Sequence, residues 1–115
     1  MLGFEPTVLF EGQVDTRTPE PVATDLLATL REALSNTARH AVASRVDVVV
    51  AVDAGGSVEL VLRVTDDGVG PPVEGQPRGH GLVNMAWRAE ERGGTFEIGP
   101  ASPRGTEVVW RVPIK

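Results

Sequence analysis

The chain has 115 residues, 41% of them hydrophobic and 23% charged, with a formal net charge of -5 and no cysteine. That is enough chain for one globular domain with a single core. The acidic balance argues against a non-specific nucleic-acid or anionic-membrane binder, and the lack of cysteine excludes disulfides, thiolate chemistry and a Cys zinc site.

The opening "MLGFEPTVLF" has no charged n-region and no long apolar core, so no signal peptide is read there. The longest apolar run, "VDVVVAV", is far too short to span a bilayer. A soluble, cytoplasmic chain is the expectation.

"TVLFEGQVD" (7–15) is rich in Val and Phe and reads as a first strand. "TRTPEPVAT" follows as a loop, with a helix cap expected at Thr24 or Asp25 and a helix over 26–43. Leu27, Leu30, Leu34, Ala38 and Ala41 share one stripe of that helix and are its expected core face. Beside them Glu32, Asn36 and His40 recur at steps of four, so an acid, an amide and an imidazole line up along the helix.

"RVDVVVAVDA" (45–54), Gly55-Gly56 and "SVELVLRVTD" (57–66) form a hairpin pattern. "DGVGPPVEGQPRGHG" (67–81) is dense in Gly and Pro, and a long irregular loop in a small domain is usually functional. "LVNMAWRAEER" (82–92) reads as a second helix with Leu82, Met85, Ala86 and Ala89 on its apolar face, ended by Gly93-Gly94. Two further strands, 95–100 and 105–114, flank the turn "ASPR". The order predicts an α+β fold: a two-layer α/β sandwich whose mixed, mostly antiparallel sheet carries helices on one face, in a single domain over 1–115.

Three stretches carry chemistry. A Gly-rich turn running into a helix, as at Gly79 and Gly81, presents unpaired N–H groups and a positive dipole end to phosphate. Asp66 at a strand end can accept from an exocyclic amine, and Gly68 and Gly70 after it let a flat ring approach the backbone. Asn36 offers a hard oxygen to Mg²⁺, Glu32 can orient water or take a proton, and Arg39 and His40 can add positive charge beside phosphate. Each piece alone is commonly an ordinary surface or turn; their order along one chain points to a nucleotide site.

With those residues in view, the chain resembles the catalytic ATP-binding domain of bacterial sensor histidine kinases, of the Bergerat fold shared with gyrase, Hsp90 and MutL. "REALSNTARHA" resembles the N box, "DDGVG" the G1 box and "GHGL" the G2 box, and the likeness runs over roughly 7–114. "GLVNMAWRAEERGGTFEI" and "PRGTEVVWRVP" are similar to the NarL/DesK-type subfamily, and in detail to mycobacterial haem-based dormancy sensors. The resemblance implies ATP and Mg²⁺ as cofactors, with Asn36 as metal ligand and Glu32 as the catalytic acidic residue. It implies Arg39 and His40 near phosphate or ribose, and Asp66 on the adenine with Gly68 and Gly70 beside it. Gly79, His80, Gly81 and Leu82 form the G2 stretch, and Thr106 assists Asp66.

Two departures stand out. The stretch from Pro71 to Arg78 is too short for the family's lid helix, and Asp67 stands where the family usually has Asn, adding negative charge near the site. Glu74 in that short lid is a candidate to pair with Arg39 and His40 and occupy the phosphate site when ATP is absent. No acceptor-histidine hairpin is present, so the resemblance implies a fragment of a longer kinase. Its partners would be its own dimerisation and phosphoacceptor domain and a response regulator, with no contact to nucleic acid or membrane. The alternatives are an anti-sigma-factor-type serine kinase of the same fold and a non-catalytic nucleotide-binding regulatory module.

Overall fold

A computed structural model describes residues 6–38, 43–53, 58–71 and 81–114. The elements are β1 (Thr7–Glu11), α1 (Val14–Arg17), α2 (Glu20–Asn36), β2 (Val46–Asp53), β3 (Glu59–Asp66), α3 (Gly81–Glu91), β4 (Thr95–Pro100) and β5 (Thr106–Pro113). They build one five-stranded sheet in the order β1-β2-β3-β5-β4. β1 runs parallel to β2 and the other pairings are antiparallel, so the sheet is mixed, as the element order predicts.

Alternation along the strands explains the layering. Val46, Val48 and Val50 of β2, Leu60, Leu62 and Val64 of β3, and Val108, Trp110 and Val112 of β5 are all buried and share the helix-facing side. Met85 and Ala89 of α3 and Val22, Leu26 and Ala33 of α2 close over them. On the opposite side of the sheet the ion pairs Arg63–Glu107 and Arg111–Glu59 cross between β3 and β5. Among the described residues no helix is long and apolar enough to cross a membrane.

Several boundaries differ from the sequence reading. The first strand stops at Glu11, and 14–17 form the short helix α1, whose Val14 joins the core. α2 begins at Glu20, not near Leu26, because Pro21 sits in the first turn, where no amide donor is required of it. Neither Thr24 nor Asp25 caps it; Pro19 is the cap residue, and the Thr24 hydroxyl donates to the Glu20 carbonyl from inside the helix.

The buried arc of α2 is also rotated. Leu27 is 55% exposed, whereas Val22, Leu26, Thr29 and Ala33 are buried and Leu30 and Leu34 are half-buried. The cause is α3. It packs antiparallel to α2, with Arg92 at its C-terminal end against Asp25 and Asn84 near its start against Glu32. The acidic and amide stripe of α2 therefore faces a second helix instead of water, and the arc turned towards the sheet shifts around to Leu26 and Ala33. Ala41 lies outside the described residues.

Candidate functional site

The site forms where the C-terminal end of α2, the C-terminal end of β3, the start of β5 and the N-terminus of α3 meet. Period-two alternation carries Asp66 to the same side as Leu62 and Val64, which leaves its carboxylate 6% exposed at the open end of the core. A carboxylate there needs donors. Its Oδ1 accepts the N–H of Gly68 at 2.8 Å and the N–H of Thr106 at 3.2 Å. Among the described residues Oδ2 meets only the Thr37 hydroxyl, 3.4 Å away, and that hydroxyl lies 3.2 Å from the Ala33 carbonyl as well. One hydroxyl hydrogen serves two acceptors, so Oδ2 keeps capacity for an external N–H donor.

The turn after Asp66 is shaped by main chain. Gly70 and Gly105 have φ of +102° and +104°. A Cβ on Gly105 would stand 1.8 Å from the Asp66 carbonyl oxygen, so the start of β5 lies directly against the end of β3. Arg104 adds a bond from its Nε to the Gly68 carbonyl at 3.1 Å. Thr106, expected beside Asp66, is there, and its contribution is a backbone N–H.

Asp67 points the other way. It is one residue further along the alternation and turns to the start of β2. Its Oδ1 accepts the N–H groups of Ser44 at 2.8 Å and Arg45 at 2.9 Å, and its Oδ2 accepts the Ser44 hydroxyl at 2.7 Å. The Ser44 hydroxyl, then the Ser44 and Arg45 amides, hold the Asp67 carboxyl below the ordinary value of 3.8. The extra negative charge is thus neither in the pocket nor idle in solvent; it pins the chain entering β2.

The second half of the site lies between the helices. Glu32 Oε1 pairs with Arg88, and Oε2 accepts the Asn84 amide at 3.2 Å. A Cβ placed on Gly81, the first residue of α3, would lie 3.5 Å from the Asn36 Oδ1 and Nδ2 atoms and from Glu32 Oε2. Asn36, Glu32 and the positive end of α3 therefore line one small cradle kept open by glycine. That donor set, a carboxamide and a carboxylate beside a helix N-terminus, fits a Mg²⁺–phosphate group whose remaining ligands are phosphate oxygens. Leu82, next on α3, packs half-buried against the core. Arg39, His40, Gly79, His80 and Glu74 lie outside the described residues, as does the proposed Glu74 contact.

Sequence reasoning missed Thr37, Ser44, Asn84, Arg88 and Gly105. A signal existed for two of them. Gly81, Asn84, Arg88 and Arg92 follow one another at steps of three and four, a basic stripe matching the acidic stripe Asp25 and Glu32 of α2.

Residues 22–115 match the family described as histidine kinase-, DNA gyrase B-, and HSP90-like ATPase, HATPase_c. The chain belongs to this family. The sensor histidine kinase LiaS of Bacillus subtilis (strain 168) is 35% identical to this ATPase domain over 101 residues, covering 87% of the chain and 27% of LiaS. The sensor protein VraS of Staphylococcus aureus (strain MW2) is 33% identical over 101 residues, covering 87% of the chain and 28% of VraS. The domain thus spans little more than a quarter of the curated relatives it matches. Among solved structures, the histidine kinase domain of the blue-light activated kinase EL346 from Erythrobacter litoralis superposes with a TM-score of 0.72 at 21% identity, covering 95% of this chain and 51% of that one. The ATP binding domain of PrrB from Mycobacterium tuberculosis does so with a TM-score of 0.68 at 22% identity, covering 96% and 81%. At that identity the likeness is one of fold, and the HATPase_c fold is the one seen here.

Proposed function

We propose that this HATPase_c domain binds Mg-ATP and donates the γ-phosphoryl group to a histidine on a separate dimerisation domain, as the kinase core of a cytoplasmic two-component signalling protein of the NarL/DesK type. The 115 residues form its single catalytic domain, and a response regulator receives the phosphoryl group downstream. The narrower likeness to haem-based dormancy sensors belongs to the same reading. The observation that carries it is the state of Asp66: one oxygen held by two backbone amides, the other with capacity for an exocyclic amine and bonded to Thr37, the neighbour of Asn36 in the Asn36–Glu32–Gly81 cradle.

In this reading Asp66 orients the adenine and the N-terminus of α3 receives phosphate oxygens. Asn36 holds Mg²⁺, which offsets phosphate charge. Arg39 and His40 add cations beside the phosphates, Gly79 and His80 belong to the loop over them, and Thr106 supports Asp66. The acceptor imidazole attacks the γ-phosphorus. A P–N bond forms, the bond to the bridging oxygen breaks, and ADP leaves with that electron pair. The proton on the imidazole's other nitrogen is lost to a base, and Glu32 aids that attack.

Calorimetric titration with ATP, with and without Mg²⁺, tests the reading. Saturable binding is expected, weakened by about 100-fold in Asp66→Ala, since a charge-assisted bond goes and two amide donors are left unpaired. Unchanged affinity in that variant would remove the adenine assignment. In the intact kinase Asn36→Ala is expected to abolish metal-dependent transfer.

A further inference from the structure

Arg88 has no part in the chemistry just described, yet among the described residues its guanidinium pairs with Glu32, the acidic residue of that chemistry. We infer that Arg88, assisted by Asn84, is a positioning residue that holds the Glu32 carboxylate towards the phosphate cradle. The inference rests on the kinase reading above.

The two oxygens of Glu32 are differently used. Oε1 is engaged by the Arg88 guanidinium, and Oε2 accepts from Asn84 at 3.2 Å. Oε2 is also the oxygen 3.5 Å from the place a Gly81 Cβ would take, beside the Asn36 amide. Oε1 is therefore the anchored atom, and Oε2 is the one presented to the cradle, with lone-pair capacity left. A free Glu side chain has rotamer entropy to lose on being fixed. Donors on both oxygens impose that order before any ligand arrives. The pair is also partly withdrawn from water, with side-chain exposures of 20% for Arg88 and 24% for Glu32, so screening is weaker than for a surface pair.

A bland strap between the helices is the competing explanation, and the molecule carries its own control. Arg92 joins Asp25 through its Nε at 2.6 Å and the Pro21 carbonyl through its Nη2 at 3.1 Å, tying the same two helices at the end remote from Gly81. Arg92→Met removes a strap without touching Glu32; Arg88→Met removes the contact at the cradle.

Single-turnover transfer from γ-labelled ATP in the intact kinase, with ATP affinity measured alongside, decides between them. Arg88→Met is expected to slow transfer about 10- to 100-fold while ATP Kd stays within about threefold, and Arg88→Lys to recover part of the rate. Glu32→Gln should slow transfer as well, and the Glu32→Gln/Arg88→Met double variant should be no slower than Glu32→Gln alone. Arg92→Met should remain within about threefold of the parent. Multiplicative losses in the double variant, an Arg92→Met defect equal to that of Arg88→Met, or a loss of ATP affinity matching the loss of rate would each overturn the positioning role. Native transfer with an unimpaired Glu32→Gln would overturn it differently, by removing Glu32 from the chemistry while the kinase reading stood. Failure of the parent protein to transfer at saturating ATP would sink the kinase reading itself, and the inference with it.

Discussion

The two halves of the site are built by opposite means. Around Asp66 the work is done by main chain: amides of Gly68 and Thr106, the glycine-only path at Gly105 and a neighbouring strand at bonding distance. Around Glu32 and Asn36 it is done by side chains reaching across two helices, with Gly81 contributing backbone shape. A flat base of constant shape suits a pocket that is as rigid as the sheet. A phosphate chain that must be admitted, attacked and released suits groups that can be repositioned by small rotations. Under the proposed reading, one ligand would be held by two parts of a fold with different tolerance to substitution.

The largest effect should come from the main-chain half. Gly105→Ala puts a Cβ at 1.8 Å from the Asp66 carbonyl oxygen on a residue with φ of +104°. We expect a loss of about 3 kcal/mol or more of folding stability, read from denaturant unfolding, with nucleotide binding lost alongside. Gly81→Ala tests the other half in the opposite sense. Its Cβ would meet Asn36 and Glu32 at 3.5 Å, an ordinary contact, so Tm should hardly move. The cradle would be filled, however, and ATP affinity should drop by about tenfold while adenosine binding is retained. Equal losses for ATP and adenosine would show that the two halves are not separable.

Asp67 sharpens the comparison from just outside the pocket. Its folded-state carboxyl lies below its ordinary value, chiefly through the Ser44 hydroxyl, so its contribution to stability is present above pH 3.8 and is lost as pH falls through the lower folded value. Acid unfolding of Asp67→Asn should accordingly show a shallower loss of stability below about pH 4. ATP affinity at neutral pH should be little changed, since the side chain faces β2. A marked gain in affinity would place its charge in the pocket after all.

The finest distinction is between neighbours on α2, remote from the site. Leu26→Ala should cost about 2–4 kcal/mol, because Leu26 is 7% exposed in the core. Leu27→Ala should change stability by less than about 0.5 kcal/mol, since that side chain is 55% exposed. Comparable losses in urea unfolding would contradict the rotation of the helix described here.

Much of this was legible in the chain. The β2–β3 and β4–β5 pairings follow from alternating Val and Leu bounded by glycines. The two long helices, α2 and α3, were found from their apolar periodicity, although the short α1 was read as strand, and Glu32, Asn36, Asp66, Gly81 and Thr106 do converge on one end of the sheet. What was missed came from tertiary partners. The face of α2 was set by the arrival of α3, the start of α2 by a proline tolerated in a first turn, and the direction of Asp67 by Ser44 across a strand pairing.

The sequence by itself determined the type and order of the five strands and the two long helices and which residues are chemically able to hold a nucleotide, because periodicity and side-chain chemistry are local properties. Only the tertiary structure decided which oxygen of Asp66 keeps spare acceptor capacity, that Asp67 is turned away, and that Glu32 is held by Arg88. Those outcomes depend on distances between segments far apart in the chain, and burial of a carboxylate obliges it to find donors wherever the packed fold puts them.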